Sequence, residues 1–452
     1  MCVFFLILAN PTLTFLPESI SQIQAMNNFN VILIILDAAS ASHFSCYGYP
    51  IITTPNIDAF SKRCLVFKNA YTSSVFTRGS GASLFTSLYQ GTHKVINFNR
   101  TLPEEAKTLA EVFKENGYKT AMFTGSGNVS YFSGLNQGFA DYHEFFLTRQ
   151  PELITKAMLA WLTSKSAQKF FIYAHYQQPH APLTAPEEIR KKFTPASLHK
   201  YLNHYAIIEN MYNGTLVPDQ EQLAYFISQY DANMYYADWG IKELLSYVLD
   251  STLKNNTIVI ITADHGEALG EHKLLGKQWF GHNRDTHRQV IWIPLLIYFP
   301  LNISKRFVPQ VVENVDLMPT LIKLLNLKGA PGYMQGTPYT ECFFSSNCST
   351  KGFSLSFSSN KKYYSIIDSN YHMILDSQTG ERELYDINKD REEKHTITDS
   401  NSRLADYYAD KIDKLRQKNS RLRTQLYKSW AERTIKLSPE AIENLKALGY
   451  IK

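Results

Sequence analysis

Two short apolar runs, each cut off by an acidic residue, constrain this chain more than any other feature in it. Ile258–Ile261 (IVII) is β-branched and leads to Asp264-His265-Gly266, and Val31–Leu36 (VILIIL) stops at Asp37. A run of this kind reads as a strand buried on both faces. Strands buried on both faces belong to sheets covered by helices on each side, and such sheets hold their ligands at the carboxyl ends of the strands. One acidic strand end is equally well explained as a polar turn. A second of the same form, with a carboxylate and an imidazole between them able to ligate a metal, favours a shared site.

The remaining chain fits that frame. Thr54–Phe67 reads as a helix and a short strand, with Pro55 near the helix start where a missing N–H is harmless. Ala82–Leu88 reads as a helix, which puts Thr77 near a helix N-terminus that can receive an anion; plain N-capping is the alternative role. Gly79 and Gly81 are expected to permit a tight bend. Thr108–Asn116 predicts a helix, Tyr118–Thr124 and Phe170–His175 strands, Gln222–Tyr247 a helix, and Val311–Leu325 a helix. Pro186–Gln220 is rich in Tyr, Asn and Lys and reads as an irregular insertion over the site, where loops commonly carry specificity. Ser354–Asp386 alternates apolar and polar residues, as an antiparallel sheet does, and Arg403–Lys452 is charged and mostly helical. The expected fold class is α/β: a large, mostly parallel central sheet flanked by helices, a small C-terminal antiparallel subdomain and a helical tail. The expected divisions are an apolar and linker segment 1–26, a main domain 27–335, a β subdomain 336–401 and a tail 402–452.

The 452 residues suffice for one large domain with a smaller one appended. A formal net charge of +5, without runs of like charge, gives no basis for nucleic-acid binding. Cys2–Ala9 is apolar but too short for a membrane span, and no basic region precedes it. It reads as a degenerate export signal, the remnant of a truncated span that leaves membrane attachment open, or a disordered end. Five cysteines do not make a disulfide framework in a chain of this size. Cys342 and Cys348 are close enough to pair, in a loop read as exposed, which favours an oxidising, extracytoplasmic setting (periplasmic, secreted or membrane-associated). The glycosylation sequons at Asn99 and Asn302 are no more than chance supplies.

Several motifs in one order carry a resemblance. Cys46–Tyr49 reads CYGY and Thr54–Asp58 reads TPNID; Thr77–Ser87 reads TRGSGASLFTS; Asp264–His272 reads DHGEALGEH. Together they resemble the sulfatase and alkaline phosphatase superfamily over about nine-tenths of the chain. The resemblance implies an alkaline-phosphatase-like fold with 27–335 as a sulfatase-like catalytic domain. It also implies an ester substrate, phospho- or sulfo-, on a glycan or lipid. Thr77 falls at the nucleophile of the family motif Cys-x-Pro-Ser-Arg-Ala-x-Leu-x-Thr-Gly. Asp37, Asp264 and His265, with Thr77, would hold one divalent metal. His180, in Gln178–Pro182, matches a family histidine that faces the substrate, whereas His175 is read as a structural hydrogen-bonding residue. Lys277 and His282 are the donors expected toward the anion or leaving group, His282 the better, and Arg78 would lend charge to substrate binding. The family's second N-terminal Asp is Ala38 here, and His265 stands where an Asn is common. A nitrogen donor and fewer carboxylates shift the metal toward manganese or zinc, with magnesium and calcium as alternatives. The helical Asp231 has Tyr235, not His, four residues on, which argues for one metal and not two.

The departures from the motif bear on the substrate. Sulfatases convert a Cys or Ser to formylglycine, and a threonine β-carbon carries a methyl group that forbids this. Ser74 would put the Ala82–Leu84 part of the motif out of register. Threonine is instead what the lipoteichoic-acid synthases and phosphoethanolamine transferases use. The Lys and His that typical sulfatases place after the Tyr118–Thr124 strand are absent from Thr124–Asn128, and Gly81 replaces the motif arginine. The expectation is a metal-dependent hydrolase or transferase acting on phosphate mono- or diesters through Thr77. The alternatives are a sulfuric ester hydrolase and a catalytically inactive relative that binds glycans or lipids.

Overall fold

The computed structural model describes residues 29–145, 148–165, 168–202, 204–274, 277–300, 306–345, 347–359, 362–431 and 442. The 1–26 segment, the sequon at Asn302 and the stretch Leu445–Tyr450 lie outside the described residues.

The first six strands are β1 (Asn30–Leu36), β2 (Cys64–Tyr71), β3 (Lys119–Thr124), β4 (Asp141–Glu144), β5 (Phe170–Tyr176) and β6 (Thr257–Ala263). A hairpin follows, β7 (Ala268–Leu274) and β8 (Lys277–Gly281), then β9 (Trp292–Ile293), β10 (Leu295–Tyr298) and β11 (Arg306–Glu313). The central sheet has the order β11-β2-β10-β6-β1-β5-β3-β4, with β9 paired to β2. It is mostly parallel; β9 and β10 run antiparallel to their neighbours. Strands β1, β5 and β6 are buried at every position, as their unbroken apolar runs require. The capped helix Gln220–Asp250 packs on the helix Pro151–Lys165 and covers one face. Among the described residues no helix is long and apolar enough to cross a membrane.

One register fixes the site. β1 lies between β5 and β6, parallel to both, and Leu36 aligns with Ala263 and Tyr176. The next residues along β1 and β6 are Asp37 and Asp264, so the two acids leave the sheet side by side.

Four further strands, β12 (Phe353–Phe357), β13 (Tyr363–Asp368), β14 (Tyr371–Asp376) and β15 (Arg382–Asp386), form a separate antiparallel sheet in that order. The helix Ser402–Leu426 covers it with Ala405, Tyr408 and Ile412 against Leu355, Ile366 and Met373. This sheet also braces the approach to Thr77. Phe357 donates its amide to Ser73 O and accepts from Val75 N, both at 3.2 Å.

Several expectations change. The helix expected from Ala82 starts at Thr77 and runs to Thr86. Gly79 therefore sits in a helix and not at a bend; its role is close approach, since a Cβ there would lie 2.6 Å from Ser74 Oγ and 3.0 Å from Val95 O. Val311–Glu313 ends strand β11, paired with β2, and the helix is only Leu317–Leu324. Val311 and Val312 satisfied helical periodicity and a buried strand equally. Pro186–Gln220 is not irregular: it contains helices Glu187–Phe193 and Tyr205–Tyr212 and a 3-10 stretch Ala196–Tyr201. Cys342 and Cys348 are joined, Cα atoms 4.9 Å apart, but they are buried and not in an exposed loop.

Candidate active site

The site is built on the paired strand ends. Ala38, in the left-handed region at φ 61°, turns the chain so that its amide donates to Asp264 Oδ1 at 3.1 Å, and His265 N donates to the same oxygen at 2.9 Å. Asp264 Oδ2 accepts no hydrogen bond although it is buried. Asp37 Oδ2 is held by His175 Nε2 at 3.1 Å, and the other nitrogen of His175 meets Tyr173 OH at 2.8 Å. That gives His175 the structural hydrogen-bonding role read from the sequence. Gly266 follows His265 because there is no room for a side chain: a Cβ would lie 2.1 Å from Gln289 O.

Thr77 is the first residue of its helix, whose N-cap, Phe76, makes no side-chain cap. The opening turn is anchored to the strand end by Ser80 Oγ, which donates to Asp264 O at 2.7 Å and accepts from Asn314 Nδ2 at 2.9 Å. Thr77 Oγ1 then lies 3.1 Å from His265 Nε2. His265 Nδ1 donates to Gly266 O at 2.9 Å, so its Nε2 carries the lone pair and faces the hydroxyl and both carboxylates.

The charges are arranged in tension. Burial opposes ionisation of Asp37, but the charges of His180, His175 and His265 and the bond from His175 outweigh it and hold Asp37 well below the usual carboxylate range. Asp264 goes the other way, up to about 7, through burial and the nearby Asp37. Burial also pushes His265 down to about 4 and, with the charge of His180, His282 down to about 3. Glu267 is raised to about 8 by burial and by Asp37, although His180 opposes this. Two adjacent buried carboxylates cannot both ionise comfortably without a cation between them.

These residues fit one. Asp37, Asp264 and His265 each offer a ligand atom, all within 4.8 Å of one another and all buried. Thr77 Oγ1 adds a hydroxyl beside them, and Asp264 Oδ2 is an acceptor without a donor. Two carboxylates, an imidazole and a hydroxyl suit a divalent metal ion.

A cavity of 1180 Å³ opens above Thr77. His180 and His282 face it, with ring centroids 5.2 Å apart, and His282 stacks on His265 at 4.0 Å. The 186–220 segment supplies part of its wall, through Arg190, Ile208, Glu209 and Tyr212. Arg78 does not line this cavity. It is fully buried, donates from Nη1 to Phe98 O at 2.6 Å and is not among the lining residues; Phe98 stands in front of it. Because Arg78 immediately follows Thr77 in a helix, its side chain leaves on a different face. The side chain of Lys277 lies outside the described residues. Asp231 is engaged by His43 Nδ1 at 2.7 Å and Tyr49 OH at 2.8 Å, away from the ligand cluster. The sequence reading missed Glu267, which lies 3.1 Å from His282 Nδ1. Its position three residues after Asp264 in a motif already singled out was the available signal.

The chain is similar to proteins of known family and structure. A family model described as Sulfatase matches residues 29–327, and one described as N-sulphoglucosamine sulphohydrolase, C-terminal, matches 270–425. Iduronate 2-sulfatase of Homo sapiens is 26% identical over 338 residues, 60% of this chain and 60% of that protein, so the chain spans about three fifths of that relative. A protein solved with its substrate D-glucosamine-2-N,6-O-disulfate superposes with a TM-score of 0.72 at 18% identity, covering 88% of this chain and 99% of that one. The phosphonate monoester hydrolase of Agrobacterium radiobacter gives 0.71 at 18% identity, covering 91% and 98%. With two-thirds of its length matched by one family model, and that model's region carrying the converging acids, histidine and threonine, the chain belongs to the sulfatase family.

Proposed function

We propose that this protein is a metal-dependent hydrolase or transferase of phosphate mono- or diesters, with Thr77 as covalent nucleophile. The observation that carries the reading is the 3.1 Å approach of Thr77 Oγ1 to the lone pair of His265 Nε2, at the floor of an open cavity. A divalent ion bound by Asp37, Asp264 and His265 would offset charge on the non-bridging oxygens and favour the deprotonated threonine oxygen.

The chain's own groups account for the rest. Thr77 opens a helix, and a helix N-terminus favours an incoming anion. Thr77 Oγ1 attacks phosphorus in line, and the bond to the leaving oxygen breaks. His282, at the cavity wall and 3.1 Å from Glu267 through Nδ1, can pass a proton from its other nitrogen to the leaving oxygen and take one in turn from the Glu267 carboxyl. His180, whose Nδ1 donates to Ala181 O at 2.5 Å, presents its other edge to the same space. The phosphothreonine is released by a second in-line attack, from water or an alcohol. A threonine cannot release its adduct by elimination across its own carbon, as a formylglycine diol can, and this weighs toward phosphorus.

Sulfate ester hydrolysis is the second reading. It is favoured by the names of the relatives, a human iduronate 2-sulfatase among them. Assay of the zinc-, manganese- and magnesium-loaded protein against aryl phosphodiesters and aryl sulfates separates the two; higher kcat/KM for sulfates under every metal overturns the first. The Cys342–Cys348 bridge supports an extracytoplasmic site of action, periplasmic, secreted or membrane-associated.

A further inference from the structure

Beyond His282 the cavity wall continues into a short turn, His282–Asp285, and that turn is held on both sides. Asp285 N donates to His282 O at 3.0 Å and closes it. Asn283 O accepts from Ser359 N at 3.0 Å and from Ser359 Oγ at 2.8 Å, which fixes the turn to the loop after β12. On the other side, Asp285 Oδ1 accepts from His287 N at 2.8 Å. Between these anchors stands Arg284.

Arg284 is exposed and lines the cavity. Among the described residues it makes no ion pair and no hydrogen bond. On a loose loop such an arginine would be ordinary solvated surface. Here the backbone beneath it is pinned, so the reach of its guanidinium is confined to the cavity mouth. The other charges of the outer wall are placed differently. Arg190 is buried and spends Nη1 on Leu202 O at 2.7 Å. Glu209, on the helix Tyr205–Tyr212, lines the cavity without pairing with Arg284 and leaves the guanidinium available.

The position of Arg284 says which part of a substrate it meets. It lies two residues after His282, so their Cα atoms are at most about 7 Å apart. His282 serves the leaving oxygen. Thr77 is 1% exposed at the cavity floor, whereas Arg284 stands at the exposed rim, so the guanidinium meets the outer, alcohol portion of the ester. We propose that Arg284 is a specificity-determining residue that binds a second oxyanion, carried on the alcohol portion of the substrate about one ring away from the reacting centre. A planar guanidinium takes a carboxylate, sulfate or phosphate through two parallel N–H bonds. The proposal rests on the reading of this cavity as an ester site with His282 on the leaving-group side, and adds to it the charge of the leaving group.

The test reads binding to the full chain loaded with zinc, by isothermal titration calorimetry. The probes are benzylphosphonate, whose P–C bond is not an ester, and its para-carboxy and para-sulfo derivatives. Either added oxyanion is expected to lower Kd about fivefold or more, a gain that falls as salt is raised. Arg284→Gln should remove the gain, and Arg284→Lys should keep part of it. A wild-type chain that binds both derivatives no tighter than the parent, or a gain that survives in Arg284→Gln, overturns the proposal. Turnover is not read, so an enzyme that prefers aryl sulfates defeats the phosphoester reading and leaves this comparison standing.

Discussion

His265 shows how much a single ring can decide. Its Nδ1 is committed to a carbonyl, its Nε2 lone pair faces Thr77, and burial keeps it neutral. The Thr77→Ala variant is therefore expected to fold, keep its metal and lose kcat by a factor on the order of 10³ or more, while Thr77→Ser retains part of it; steady-state kinetics with metal analysis checks both. The carboxyls make a pH prediction for the metal-free protein. Asp264 and Glu267 titrate at about 7 and about 8 in the fold against ordinary values of 3.8 and 4.5. Raised acids bind protons in the fold that the unfolded chain has lost, so they lower stability as pH rises through that range. His265 and His282, depressed to about 4 and about 3 from 6.5, add stability as pH rises but stop doing so above 6.5. Chelated protein should thus lose melting temperature relative to metal-loaded protein between about pH 6.5 and 8. A constant difference across that window would contradict it, and Glu267→Gln should shrink the slope.

Among the elements, the opening helix depends most on close packing. Gly79→Ala forces a Cβ into Ser74 Oγ and the Val95 carbonyl, and is expected to cost about 1–3 kcal/mol in denaturant unfolding and to lower kcat by displacing Thr77. The helical 186–220 segment walls the cavity and supplies none of the three clustered ligands, so Glu209→Ala should alter the KM ratio among ester substrates and leave metal content unchanged. The buried strands were legible because β1 and β6 carry unbroken apolar runs, and their shared ends follow from parallel register. The 186–220 helices were not, because short helices held by tertiary contacts carry weak local signals. Nor was the direction of Arg78, because the helix was expected only from Ala82 and its true start at Thr77 puts adjacent side chains on different faces.

At the scale of the molecule, two layers meet at the nucleophile. The central sheet sets the acids and the C-terminal sheet braces Ser73–Val75, so damage to the small sheet should reach Thr77 through its backbone. The linear chain showed both sheets but not this contact, because Ser74 and Phe357 are far apart in sequence and only their pairing joins them. The most direct test of the account is to quench the metal-loaded enzyme during turnover of a phosphodiester and fragment the tryptic peptide Asn69–Arg78. That peptide holds Thr72, Ser73 and Ser74 as well as Thr77. The account predicts a phosphoryl adduct on Thr77; an adduct on Ser74, or none while aryl sulfates turn over faster, would contradict it.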